Sequence, residues 1–134
     1  LDRCQLVAQS SLYSSKPVGP QDQPDFVNAV AKLKTELTPL VLLDRLQALE
    51  QSHRRIRERH WGPRTLDLDL LLYDDDFITN PRLTVPHAHM HERGFVLLPL
   101  QEIAPEISIP GKGLVTEILH YIDTDDLQLL TVTE

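Results

Sequence analysis

Interleaved strand and helix patterns predict an α+β fold for this 134-residue sequence. Three observations carry that expectation. Residues 66–73, "LDLDLLLY", alternate as a strand does, with Leu66, Leu68, Leu70 and Leu72 on one face. Thr38 and Pro39 form an N-cap and a first-turn proline ahead of an apolar run at helical spacing, Leu42, Leu43, Leu46 and Leu49. Strand-like neighbours joined by short turn-rich segments read as hairpins.

Taken in order, residues 5–14 ("QLVAQSSLYS") read as a strand. Residues 16–25 ("KPVGPQDQPD") hold three prolines and a glycine and read as a loop. Residues 26–37 ("FVNAVAKLKTEL") alternate from Ala29 onward and predict one long strand. The helix of 39–53 follows, and Gly62-Pro63 predicts that residues 54–65 leave it as a loop. After the 66–73 strand, "DDDF" predicts a turn, and the two prolines of "FITNPRLTVPH" allow a short edge strand at best. "HERGFVLLPLQEIAP" reads as a helix containing Pro99, and "KGLVTEILHYI" as another near the C-terminus. There is no repeat and no low-complexity tract, so a single domain over 1–134 is expected.

Hydrophobic residues make up 41% and charged residues 25%, the balance of a soluble globular chain. No apolar run reaches the ~20 residues that span a bilayer. One cysteine, Cys4, excludes an internal disulfide and suits a cytoplasmic protein. The net charge of −7 argues against nucleic-acid binding. Yet five of the nine arginines (Arg54, Arg55, Arg57, Arg59, Arg64) fall within eleven residues, just ahead of Asp67 and Asp69. That juxtaposition points to a local anion site.

Asp67 and Asp69 share the second face of their strand, about 7 Å apart. Buried carboxylates need neutralising, and two chemistries would do it: arginine pairing, or a divalent cation such as Mg²⁺ completed by phosphate oxygens. The spacing alone leaves both open. Guanidinium forks suit phosphates, and the chain has no Gly-x-x-x-x-Gly-Lys-Ser/Thr loop, which excludes a P-loop. His87, His89 and His91 alternate without a cysteine partner and read as separate residues, not as a zinc centre. Trp61 lies in the basic segment, where stacking suits it better than a core role.

Three blocks, "GPQDQPDFVNAV", "WGPRTLDLDLLLY" and "LTVPHAHMHERGFVLLPLQEIAP", together resemble the 6-hydroxymethyl-7,8-dihydropterin pyrophosphokinases of folate biosynthesis. The resemblance implies a ferredoxin-like antiparallel sheet with helices on its faces. It also implies transfer of diphosphate from ATP to the pterin hydroxymethyl group, release of AMP, two Mg²⁺ ions and a monomer with small-molecule substrates only. On it, Asp67 and Asp69 are the metal ligands, and Arg55 and Arg57 belong to a mobile catalytic loop. Glu50, Trp61, Arg64, Leu70, Arg82, Thr84, His87 and Arg93 are expected around ATP. Ser15, Lys16, Val18, Phe26, Asn28 and Phe95 are expected around the pterin, with the two phenylalanines sandwiching its ring.

His60 stands where the family commonly has arginine, and Phe26 where tyrosine is frequent. The family's first strand, Gly-Ser-Asn-Leu turn and helix have no counterpart before Leu1, and the fold is expected to need them. Two other readings stay open: a ligand-binding domain without catalysis, and a two-metal nucleotidyltransferase. The pterin block, Phe26 with Asn28 and Phe95, argues against the second.

Overall fold

A computed structural model describes residues 3–15, 26–60 and 66–130, with the backbone alone for 56–60. The expected 16–25 loop therefore lies outside the described residues. The element order is β1 (Cys4–Gln9), β2 (Leu12–Ser15), β3 (Phe26–Asn28), β4 (Ala31–Thr35), α1 (Pro39–His60), β5 (Ile78–Asn80), β6 (Leu83–Val85), a 3₁₀ turn (Met90–Glu92), α2 (Gly94–Ile103), β7 (Ser108–Ile109), β8 (Gly113–Leu114), α3 (Val115–Leu119) and β9 (Gln128–Leu130). Every strand pairing is antiparallel, and the class is α+β as expected.

The two predicted N-terminal strands form one long bulged ribbon. β1 pairs β4 from Cys4↔Thr35 to Gln9↔Ala31, with a register shift between Leu6 and Ala8. Ser10 continues the pairing through its N–H to the Val30 carbonyl (2.8 Å). Beyond a second one-residue shift, β2 pairs β3 at Tyr13↔Asn28, Ser14↔Val27 and Ser15↔Phe26. Each bulge adds an unpaired residue and bends the ribbon, which is why each long strand of the sequence becomes two short ones. β9 then adds to the other edge of β2, from Leu12↔Leu130 to Ser14↔Gln128.

α1 begins at Pro39, with the Leu42 N–H bonded to the Thr38 carbonyl at 2.8 Å. It does not stop at residue 53. It runs to His60, so Arg54, Arg55 and Arg57 stand on its last turns. Arginine, glutamate and isoleucine are all compatible with a helix, and Gly62-Pro63 lies beyond the end.

The 66–73 segment also differs from expectation. It carries no strand assignment and joins no ladder among the described residues. Its side chains do not alternate between the two cores, since Leu70 and Tyr73 pack in one and Leu71 and Leu72 in the other. Alternation suggests a strand, but a strand also needs a neighbour, which periodicity does not report. Residues 78–85 form a full hairpin, not one edge strand. Pro81 sits in its turn, where the Asn80 side chain accepts the Arg82 N–H (2.9 Å). Pro86 falls just past β6 and interrupts nothing.

Two apolar clusters hold these elements. Leu37, Leu42, Leu43, Leu70, Leu83 and Val85 form one against α1. Val30, Met90, Leu97, Leu100, Ile109 and Val115 form the other against α2 and α3. The 66–73 segment serves both: Leu70 and Tyr73 pack in the first, Leu71 and Leu72 in the second. No helix of the described residues is long and apolar enough to cross a membrane. Leu97 is fully buried, so Leu97→Ala should cost about 2–5 kcal/mol. Leu49→Ala, on an exposed face of α1, should cost far less, and urea unfolding of the two variants compares them.

Candidate active site

The 66–73 segment carries Asp67 and Asp69 out of the core at its exposed end. The sequence suggested carboxylates on a buried strand, but both are exposed, so neither bears a large desolvation penalty. Among the described residues neither has an ion-pair or hydrogen-bond partner. The backbone between them is held: Glu50 on α1 accepts the Leu68 N–H through Oε2 at 2.8 Å. Two hard oxygen donors open to solvent fit Mg²⁺, which keeps several waters and binds through one or two carboxylates plus phosphates. No third His, Cys, Asp or Glu joins them, or groups with the histidines of 87–91, among the described residues.

The expected nucleotide residues come from several elements. His87 gives its backbone N–H to the Leu71 carbonyl (2.9 Å), which fixes it beside the carboxylate segment. Its Nδ1 accepts the His89 N–H at 3.3 Å. Thr84 points away from the core side of β6, since Leu83 and Val85 are buried. Arg82 is tied to α1, with Nη2 donating to Asp44 Oδ1 (2.5 Å) and Gln47 Oε1 (3.2 Å). Leu70 is 7% exposed in the core, so its side chain cannot serve as an ATP contact and only its backbone is available. Arg55 is exposed on α1. Arg57 follows Glu50 by seven residues, two turns along one side of the helix. Trp61, Arg64, Lys16 and Val18 lie outside the described residues.

The expected pterin residues come from two elements. Residues directly opposite in an antiparallel pair share a face, as do residues two apart in a strand. Tyr13↔Asn28 and Ser15↔Phe26 therefore put Phe26, Asn28, Tyr13 and Ser15 on one face of the ribbon. That face meets α2, because the Tyr13 hydroxyl donates to Glu102 Oε1 at 2.5 Å. Phe95 lies seven residues before Glu102, on the same side of α2. Phe26 is 57% exposed and Phe95 half-buried, with the Arg93 guanidinium 5.7 Å from the Phe95 ring centroid. A cleft of about 340 Å³ opens beside Phe95, walled by Arg93, Tyr121, Ile122, Asp126 and Leu127. Gly94 permits this close packing, since a Cβ there would lie 3.1 Å from Thr124 Cγ2.

A family profile for 7,8-dihydro-6-hydroxymethylpterin-pyrophosphokinase matches residues 1–105. The chain belongs to this family. It is 56% identical over 119 residues to the 2-amino-4-hydroxy-6-hydroxymethyldihydropteridine pyrophosphokinase of Haemophilus influenzae, covering 89% of this chain and 74% of that protein. The enzyme of the same name from Pseudomonas aeruginosa is 53% identical over the same shares. That of Methylorubrum extorquens is 42% identical over 92% of this chain and 77% of its own length.

Sequence reading missed Glu102 and its partners. Glu102 Oε2 accepts the Ser11 N–H (2.8 Å) and Ser11 Oγ–H (3.1 Å), while Oε1 takes the Tyr13 hydroxyl. These donors hold the Glu102 carboxyl below its ordinary range, the tyrosine bond foremost. Burial, then the adjacent carboxylate, pushes Tyr13 up from 10.0 to about 12. The Tyr13 contribution to stability is thus complete below pH 10 and lost as pH rises toward 12, while that of Glu102 is lost as acid titrates it through its lowered value. Melting curves should therefore show the stability advantage of the parent over Tyr13→Phe shrinking between pH 10 and 12. A gap constant across that window would contradict it.

Proposed function

We propose that this chain transfers the β,γ-diphosphate of ATP to the hydroxymethyl group of 6-hydroxymethyl-7,8-dihydropterin, releasing AMP, as a step of folate biosynthesis. Family membership supports the reaction. The observation that supports the site assignment is the shared ribbon face, on which Phe26 and Asn28 stand with Tyr13, whose hydroxyl bonds Glu102 on the side of α2 that bears Phe95. A flat bicycle between two aromatic rings gains stacking as well as burial, and Asn28 offers both donor and acceptor to its polar edge.

In the transfer, the pterin hydroxymethyl oxygen attacks the β-phosphorus of ATP. The bond from that phosphorus to the oxygen bridging it to the α-phosphate breaks, AMP leaves with the bonding pair, and the hydroxyl proton is lost. Asp67 and Asp69 would hold two Mg²⁺ ions, which supply charge neutralisation to the triphosphate when bound. Glu50 keeps the aspartates oriented through the Leu68 amide. Arg55 and Arg57 stand on α1 to bind phosphate oxygens, with Trp61 and Arg64 assigned to the same nucleotide. Arg82, Thr84, His87 and Arg93 complete the ATP side, with Leu70 contributing backbone only. Ser15, Lys16 and Val18 border the pterin. We read the protein as a cytoplasmic monomer without nucleic-acid or membrane partners, in keeping with its net charge of −7 and single cysteine.

Asp67→Ala and Asp69→Ala should each abolish AMP formation from ATP and pterin. Both positions are exposed, so thermal stability should change little, by about 0.5 kcal/mol or less. Parental turnover in either variant would overturn the metal assignment.

The pterin half has its own test. Phe95→Ala and Asn28→Ala should weaken pterin binding at least about tenfold, with affinity for a non-hydrolysable ATP analogue unchanged. Calorimetric titration with the analogue, with and without pterin, separates the two ligands. Unchanged pterin affinity in Phe95→Ala would remove the ring from the substrate site.

A further inference from the structure

We infer that Glu102 is a positioning residue for the pterin end of the site, holding β2, and through it the paired β3 that bears Phe26 and Asn28, at a fixed distance from the helix that bears Phe95. The inference rests on the pterin site proposed above. Three donors on one exposed carboxylate form an unusual concentration of bonds for a surface acid.

Where those donors sit explains their effect. The ribbon takes up an extra residue between Ser10, bonded to Val30, and Tyr13, paired with Asn28. Ser11, within that kink, gives its N–H to Glu102 and not to the ladder. The carboxylate thus binds the bulge itself, and bulges set the direction of the strand beyond them. Beyond this one lie Tyr13, directly opposite Asn28, and Ser15, directly opposite Phe26.

On the helix side, Glu102 and Phe95 are seven residues apart, about 10 Å along one side of α2. One carboxylate therefore reads the strand bend with one oxygen and the residue facing Asn28 with the other. A shift at Glu102 moves Phe26 and Asn28 relative to Phe95, while Asp67 and Asp69 are fixed separately by Glu50 and the two cores.

The separation of pterin from nucleotide binding tests this. Each lost hydrogen bond is worth about two- to tenfold, so Glu102→Ala should raise the pterin dissociation constant about tenfold in the presence of a non-hydrolysable ATP analogue. Affinity for the analogue alone should stay within about twofold. Tyr13→Phe should act in the same direction and add little in the Glu102→Ala background, because the two share one bond. Glu102→Gln, which keeps the shape and one acceptor oxygen, should fall between parent and alanine.

Equal weakening for both ligands, or unchanged pterin affinity in folded Glu102→Ala, would overturn the inference. Should Glu102→Ala fail to fold, Tyr13→Phe carries the same test, because it removes only a hydroxyl. Phe95→Ala measured alongside separates the two readings. If it loses pterin while Glu102→Ala does not, the positioning role alone falls; if neither loses pterin, the site assignment falls with it.

Discussion

Four residues, 70–73, are clamped between two hydrophobic clusters, and the segment that presents the proposed metal ligands depends on that clamp. Leu70 and Tyr73 are held on the α1 side, Leu71 and Leu72 on the α2 and α3 side. With both sides packed, the segment cannot tilt without opening a cavity in one cluster or the other. Its neighbours take their positions from it. Glu50 bonds the Leu68 amide, the Leu71 carbonyl receives the His87 N–H, and the Tyr73 hydroxyl reaches the Leu37 carbonyl. Helix, loop and hairpin are thereby registered against the same short stretch that presents Asp67 and Asp69.

The clamp also resolves the cost of two carboxylates on so apolar a run. Packing is confined to the second half of the segment, and the aspartates occupy the first half, where Leu66 is itself 37% exposed. They remain exposed to solvent, available as hard oxygen donors, while the leucines beyond them supply rigidity. The chain as a whole is acidic, with a net charge of −7, so the arginines of α1 form a local contrast instead of a basic surface. Arg82 fits the same economy, since Asp44 and Gln47 fix part of its guanidinium on α1.

What the sequence revealed follows from the range of the interactions involved. The start of α1 was legible because a cap is a local signal, carried by Thr38 and Pro39. Its end was not, because a run of helix-compatible arginines gives no stop before Gly62. The prolines of residues 78–86 read as breakers although they occupy a turn and a strand end, and this hid β6. Periodicity predicted a strand over 66–73, but it held no information on a ladder partner, and the segment packs Leu70 and Tyr73 to one side and Leu71 and Leu72 to the other. β7, β8 and β9 are two or three residues long, below the reach of any pattern. Asp67 and Asp69 stood out through their spacing, whereas Glu102 bonds residues 89 and 91 positions away. Its only local mark is the seven-residue interval from Phe95.

The two halves of the proposed site are thus held by different physics. On the metal side, hydrophobic packing fixes the backbone and leaves the charged groups in water. On the proposed pterin side, polar bonds through Glu102 join strand to helix and leave Phe26 57% exposed, with Phe95 half-buried. An exposed ring is an unfavourable surface, at about 25 cal/mol per Å² of apolar area. A flat substrate between Phe26 and Phe95 would remove water from both rings at once, so the binding energy is already stored in the open site. On the proposed site, that energy would be recovered only if the two rings stood at the spacing of one aromatic layer, so the strand-to-helix distance would count for pterin affinity as much as the rings themselves.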